Sequence, residues 1–225
     1  MKKILVLGAV DKTGVLLNFM RVLSLTGLNC IYIDGNKNES LSVAVPAIDL
    51  NMQVVEFEGF DCAINRAHMN ETSVEGYDFA LVDTDNEGFI DGVSLDSFDR
   101  VYIFTTQERS AINRTKRLIN EVLAKREVKT YPMTIILNHF VSTHMDEDYI
   151  YDLIDNPYIL RSDSVHIFNF DELDYQRHVE NSHDERVSLR RVSRHYRKAL
   201  LNLLEESDIA ESSKLVPAMK KARRG

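Results

Sequence analysis

What most constrains the fold of this chain is a rhythm of short apolar runs, several ending on a polar residue and giving way to a helix-length segment. Ile4-Leu5-Val6-Leu7 breaks at Gly8, and Cys30-Ile31-Tyr32-Ile33 ends in Asp34-Gly35-Asn36. Tyr77-Asp78-Phe79-Ala80-Leu81-Val82 runs into Asp83-Thr84-Asp85, Phe98 to Phe104 into Thr105-Thr106-Gln107, and Thr134-Ile135-Ile136-Leu137 into Asn138. Between them, Val15 to Thr26 carries Val15, Leu16, Phe19, Val22, Leu23 and Leu25 at helical spacing and closes at Gly27. Ser110 to Arg126 repeats the pattern with Ile112, Leu118, Ile119, Val122 and Leu123. Buried strands alternating with helices are βαβ units. They predict an α/β fold of three layers, α/β/α, around a mostly parallel sheet covered on both faces.

The remaining segments read less sharply. Gln53 to Phe57 alternates as a short strand, Asp61 to Asn70 reads as a short helix, and Lys37 to Asn51 has no clear pattern. Asp146 to Ile154 reads as a short acidic helix, Val165 to Phe168 as the last strand, and Asp171 to His183 as polar loop or broken helix. His178 and His183 lie five apart, off a common helical face, and make no metal pair. A final helix from Arg186 to Glu206 places Leu189, Val192, Tyr196, Leu200, Leu203 and Leu204 on one stripe, opposite Arg190, Arg191, Arg194, Arg197 and Lys198. Residues 1–212 are expected to form one domain, and 213–225 a basic, flexible tail.

Charge narrows the partners. Eleven of the 27 basic residues but four of the 35 acidic ones lie from Arg186 onward. That end therefore stands at +7 and the body, with 16 basic and 31 acidic residues, at −15. An acidic body argues against direct DNA binding by the main domain. The basic end either meets an anionic partner or surface, or pairs with the acidic body. No apolar run reaches the roughly 18–20 residues that span a bilayer. Met1-Lys2-Lys3 mimics a signal peptide, but Gly8 and Asp11 break the apolar part too early. Cys30 and Cys62 have no metal spacing and read as buried, reduced thiols. The expected setting is cytoplasmic, with peripheral membrane contact through the basic helix and tail as an option.

In such a sheet, ligands sit beyond the carboxyl ends of the strands. Those ends collect Lys12, Thr13, Asp34, Asn36, Asp83, Thr84, Asp85, Thr105, Thr106 and Asn138 on one rim. The loop Gly8-Ala9-Val10-Asp11-Lys12-Thr13-Gly14 joins a buried strand to a helix, the setting in which backbone N–H groups cradle phosphate. In a phosphate loop, Lys12 would reach the outer phosphates and the Thr13 hydroxyl would ligate magnesium, with Asp83 opposite. The pattern G-x-x-x-x-G-K-[ST] wants glycine where this chain has Val6 and Asp11. The other reading is an ordinary strand-to-helix turn with an exposed lysine.

The order of this loop, Ile33-Asp34-Gly35-Asn36, Tyr77 to Thr84, Phe104-Thr105-Thr106 and Leu137-Asn138 resembles the MinD/ParA group of P-loop ATPases, over about residues 1–205. The resemblance implies ATP or ADP with magnesium, a nucleotide-bridged homodimer, and a role in positioning cargo within a larger apparatus. It implies Gly8, Asp11, Lys12, Thr13 and Gly14 at the phosphates, Thr13 and Asp83 at magnesium, and Asn138 at the base. Asp34 and Asn36 take the switch I positions next to the reaction. Three departures accompany it. The group's signature lysine falls at Leu7, the glycine before the phosphate lysine is Asp11, and the second switch carboxylate is Asn36. A carboxylate about 5 Å from a phosphate charge costs roughly 3 kcal/mol at an effective dielectric near 20, and an asparagine is no base. The expectation is a degenerate member with weak or no hydrolysis, serving a pilus, secretion, conjugation or DNA-segregation system. The alternative is a working ATPase that dimerises on ATP.

Overall fold

Alternation within the first strand fixes the layers. In the computed structural model, which describes residues 1–38, 40–46, 53–127 and 129–224, strand β1 (Lys2–Leu7) sends Ile4 and Val6 into one apolar cluster and Leu5 and Leu7 into another. The first cluster is closed by helices α1 (Thr13–Ser24), α6 (Arg194–Glu206) and α7 (Ser212–Ala222). The second is closed by α3 (Arg109–Ala124) and α4 (Glu147–Ile154). The sheet between them takes in β2 (Cys30–Asp34), β3 (Val54–Phe57), β4 (Phe60–Ala63), β5 (Phe79–Thr84), β6 (Arg100–Thr105), β7 (Tyr131–Phe140) and β8 (Ile159–Asn169). Among the described residues it has eight strands in the order β3-β4-β2-β5-β1-β6-β7-β8, parallel throughout except for the β3–β4 hairpin. The expected three-layer, mostly parallel α/β/α architecture is present, and the carboxyl ends of β1, β2, β5, β6 and β7 share one rim.

Gly8 is where the loop leaves β1, and its neighbour explains the residue. A β-carbon there would lie 2.2 Å from the Phe104 carbonyl oxygen on β6, a backbone atom that cannot turn aside. Gly8→Ala is expected to cost about 1–3 kcal/mol, the usual range for overpacking. Chemical denaturation checks this, and an unchanged midpoint would show that the two strands separate freely.

Several expected elements move, each for a local reason. Asp61 to Asn70 is not a helix: Phe60–Ala63 forms β4, and only Met69–Glu71 makes a short 3-10 turn. The chain reverses at Glu58 and Gly59, both at positive φ, which sets Phe57 opposite Phe60 and carries Cys62 into register beside Tyr32. Asp171 to His183 is helical after all, as α5 (Glu172–His183). The Asp171 carboxylate accepts from the Leu173 and Asp174 N–H groups, a helix start that its mostly polar surface hides from a periodicity count. The last helix is shorter than expected, since α6 begins only where Ser193 accepts from the Tyr196 N–H. Before it, the chain runs irregularly through Arg191 at φ 66, with Leu189 and Val192 still buried.

The flexible tail is replaced by structure. Residues 212–222 form α7 despite Pro217, and Leu215, Ala218, Met219 and Ala222 are buried against α1 and α6. β7 and β8 both outrun the expected runs because bulges at Met133/Ile135 and Leu137/Phe140 let their pairing continue. Within 37–51, Ser40–Ala44 is a single helical turn, α2. Glu39 and residues 47–51 of that stretch lie outside the described residues, as does Val128. Cys30 and Cys62 are buried free thiols. Among the described residues no helix is long and apolar enough to cross a membrane.

Candidate functional site

Lys12 decides how the rim is organised. It opens α1, it is 3% exposed, and its ammonium turns inward instead of toward solvent. Nζ donates to the Gly8 carbonyl at 2.5 Å and to Asn36 Oδ1 at 3.0 Å, and lies 3.1 Å from Asp83 Oδ1. The ordinary turn with an exposed lysine is therefore excluded. Asp83, on the central strand β5, is 0% exposed. Its Oδ2 accepts from the Tyr32 hydroxyl at 2.8 Å and from Asn36 Nδ2 at 2.8 Å. Burial raises the Asp83 carboxyl above its usual range, opposed by Lys12, Tyr32 and Asn36. Burial, reinforced by the Asp83 and Asp34 carboxylates, raises the Tyr32 phenol well above its usual value, so it stays protonated.

Asn36 ties the group together. Its Nδ2 also donates to Asp34 Oδ1 at 2.8 Å, and the same oxygen accepts from the Asn36 N–H. The arrangement is a closed knot of Lys12, Asp34, Asn36 and Asp83, completed by Tyr32. Tyr32 was not a candidate, since within an apolar strand its hydroxyl gives no sign of which carboxylate it will meet.

Asp34 responds to pH. It is 5% exposed, and burial, reinforced by Asp83 nearby, raises its carboxyl to about 6. Its folded pKa therefore exceeds its unfolded value near 4, so between the two the folded chain holds the extra proton. Stability then falls as pH rises through that window and is regained on acidification. The displacement corresponds to on the order of 3 kcal/mol. Relative to Asp34→Asn, the parent protein is expected to gain stability by up to about that much between about pH 7.5 and 4.5. A difference independent of pH, measured by urea denaturation, would remove this account.

Asp11 occupies the position next to the lysine, and its carboxylate is spent on the loop. Oδ1 accepts from the Thr13 N–H at 3.0 Å, so a carboxylate of the loop meets the positive end of the α1 dipole. The Ala9 N–H is likewise committed, to Thr115 Oγ1 on α3 at 3.3 Å. His178, on α5, packs over the helix start: its Nδ1 lies 2.2 Å from where a Gly14 β-carbon would be, and its Nε2 stands 3.9 Å from Asp11 Oδ2. Gly14 is small because this imidazole needs the room.

Beside the knot opens a cavity of about 300 Å³, lined by Lys12, Thr13, Gly14 and Asn138 on the sheet side and by residues of α5 on the other. Asn138, two residues before the end of β7, is 8% exposed, and its carboxamide makes no hydrogen bond among the described residues and is not sealed from solvent. His139 follows it at φ 51, and burial, then His178, lowers its imidazole pKa. The far wall, Asp174, Tyr175, Arg177 and His178, was missed with α5. The one available signal was the Asp171 helix start.

Thr13 and Asp83 were the expected magnesium pair. The Thr13 hydroxyl is unpartnered among the described residues; Asp83 Oδ2 accepts from Tyr32 and Asn36, whereas the buried Oδ1 has no hydrogen bond and faces the Lys12 ammonium at 3.1 Å. The same lysine was to bind the outer phosphates. Lys12 and Asp83, expected at the phosphates and at magnesium, thus face each other 3.1 Å apart. Gly8, Asp11, Lys12, Thr13, Gly14, Asp34, Asn36 and Asp83 all meet at the rim, and Asn138 lines the same cavity as the loop.

The fold and its rim define a class: this is the α/β fold of the MinD/ParA P-loop ATPases. Among solved structures the chain is similar to the cell division ATPase MinD of Pyrococcus furiosus, with a TM-score of 0.56 at 16% identity over 98% of both chains. It is similar to an AMPPNP-bound protein assigned to plasmid partition in Borrelia burgdorferi, at 0.54 and 14% over 98% of both chains. A third likeness is to the MinC:MinD cell division complex of Aquifex aeolicus, at 0.53 and 14% over 100% of this chain and 97% of that one. No protein-family model and no curated protein matches the sequence.

Proposed function

We propose that the protein is a degenerate MinD/ParA-like nucleotide-binding factor with weak or no ATP hydrolysis, acting as a positioning or scaffold component of a larger apparatus. One observation carries the reading. The lysine that the resemblance assigns to the phosphates is locked in a buried pair with the carboxylate assigned to magnesium, under Asn36. Phosphoryl transfer depends on positioned positive charge and an oriented nucleophile. Leu7 carries no charge, Lys12 is consumed, and Asn36 cannot take a proton. Asp34 remains as a carboxylate, but it is held by Asn36.

The partners in this reading are a second copy of the chain and a protein of the apparatus it serves, such as a pilus, secretion, conjugation or DNA-segregation system. The second follows the precedent of the complex of MinD with MinC. The basic face of the carboxyl-terminal helices is available for an anionic surface. A turnover assay with magnesium-ATP tests the central claim. The expected result is release of phosphate indistinguishable from that of Lys12→Ala, and robust release abolished by that substitution would establish a working ATPase instead.

A further inference from the structure

We infer that α5 is a hinged cover over the Gly8–Gly14 loop, closed in this structure by His178 and held shut by polar clasps. The start of α1 is reached only while α5 stands off it. The inference adds a control on access to the loop of the proposed function, and rests on that reading only for what would enter.

What α5 covers is set by His178. A β-carbon on Gly14 would lie 2.2 Å from its Nδ1 and 2.6 Å from its Cε1, so the ring rests directly on the first turn of α1. Its Nε2 stands 3.9 Å from Asp11 Oδ2, across the loop. The leading N–H groups of a helix have no partners inside it and are what a loop of this kind offers to an anion. The imidazole stands in that approach.

How α5 is held is the second ground. A helix seated by its core buries an apolar stripe. α5 buries one side chain, that of Asp174, and leaves Leu173, Tyr175 and Val179 exposed. Asp174 Oδ1 accepts from the Ser193 N–H at 2.5 Å and Oδ2 from the Ser193 hydroxyl at 2.6 Å. Asn181 donates to the Ser188 carbonyl at 3.0 Å and accepts from the Ser188 N–H at 3.3 Å. Both clasps close on residues 188–193, the irregular run before α6. The helix also touches α2, a single turn. The Arg177 Nε is buried without an acceptor while α5 is seated, and meets water once the helix lifts. Asp171 caps α5 from within, so it moves as a unit, and the chain leaves it through Glu185 at φ 48. Few buried apolar contacts and a polar attachment mark a segment that opens locally, well below the cost of global unfolding. A ligand of the loop then binds with its affinity reduced by the fraction of molecules that stand open.

Hydrogen–deuterium exchange of the full chain, read by mass spectrometry, tests this. Peptides of α5 and of the start of α1 are expected to exchange together, and faster than β1 and β5. Asp174→Ala is expected to speed both about tenfold or more, the effect of losing a hydrogen-bonded carboxylate, with the strands unchanged. Should that variant not fold, Gly14→Cys/His178→Cys gives an independent arm. The His178 Cγ lies 3.1 Å from the Gly14 β-carbon position, a spacing that a disulfide bridges, and Cys30 and Cys62 are buried. The oxidised form is expected to exchange at both segments about tenfold more slowly than its reduced form. Exchange of α5 at the rate of β5 would overturn the inference. So would exchange at the start of α1 that neither Asp174→Ala nor the disulfide alters. Phosphate release with magnesium-ATP enters neither readout, so a working ATPase would overturn the proposed function and leave this result standing.

Discussion

Lys12→Met is expected to lower the stability of the protein by about 3 kcal/mol or more at neutral pH, the largest effect of any single change on the rim. The reason lies with the partner left behind. Asp83 is fully buried and its Oδ1 faces only the Lys12 ammonium, so removing the ammonium strands a charge in the interior. Burial already raises the Asp83 carboxyl, and the lysine was holding it down. Without the lysine it rises further, the carboxyl takes up a proton on mild acidification, and the penalty shrinks as pH falls. The double variant Lys12→Met/Asp83→Asn should recover much of the loss, because the amide is neutral and still accepts from Tyr32. Urea denaturation of the parent, both single variants and the double completes the cycle. Equal losses in the single and double variants would mean that the pair is not the source.

Asp11→Gly is expected to tighten magnesium-ATP by about a hundredfold, the largest effect on binding. Two contributions point the same way. The substitution removes a negative charge from the phosphate path, and it returns the Thr13 N–H to an incoming oxygen. Loss of the Asp11–Thr13 hydrogen bond sets a cost of about 1 kcal/mol against the stability of α1. The side chain of Asp11 is 53% exposed, so the gain for ATP should fall as salt rises. A change under threefold at low salt would show that the carboxylate does not govern access.

The rim was legible because each strand end is written twice, once in the apolar run and once in the polar residue that stops it. Leu81-Val82 followed by Asp83, and Leu137 followed by Asn138, place side chains at a known edge without any knowledge of contacts. Their pairing was not legible. That Lys12 folds back on Asp83 instead of facing outward depends on Tyr32 and Asn36 arriving from another strand. The hairpin at Glu58-Gly59 was lost because a positive φ at Glu58 is not a residue preference that a sequence displays. Helix α5 was lost for a different reason. With a single buried side chain, Asp174, it has no stripe to count, yet it supplies one wall of the cavity. Polar helices that close a site are poorly signalled, since their job is to face solvent on one side and a ligand on the other.

The packing of α7 against α1 bears on how the molecule is made. The first helix of the chain rests on the last, and the Leu189 N–H reaches the carbonyl of Ala222. A chain emerging amino end first therefore cannot finish the layer beneath the Gly8–Gly14 loop until α7 has emerged. Until then the loop sits on an unfinished floor, and whatever it is to hold must wait for that helix to dock.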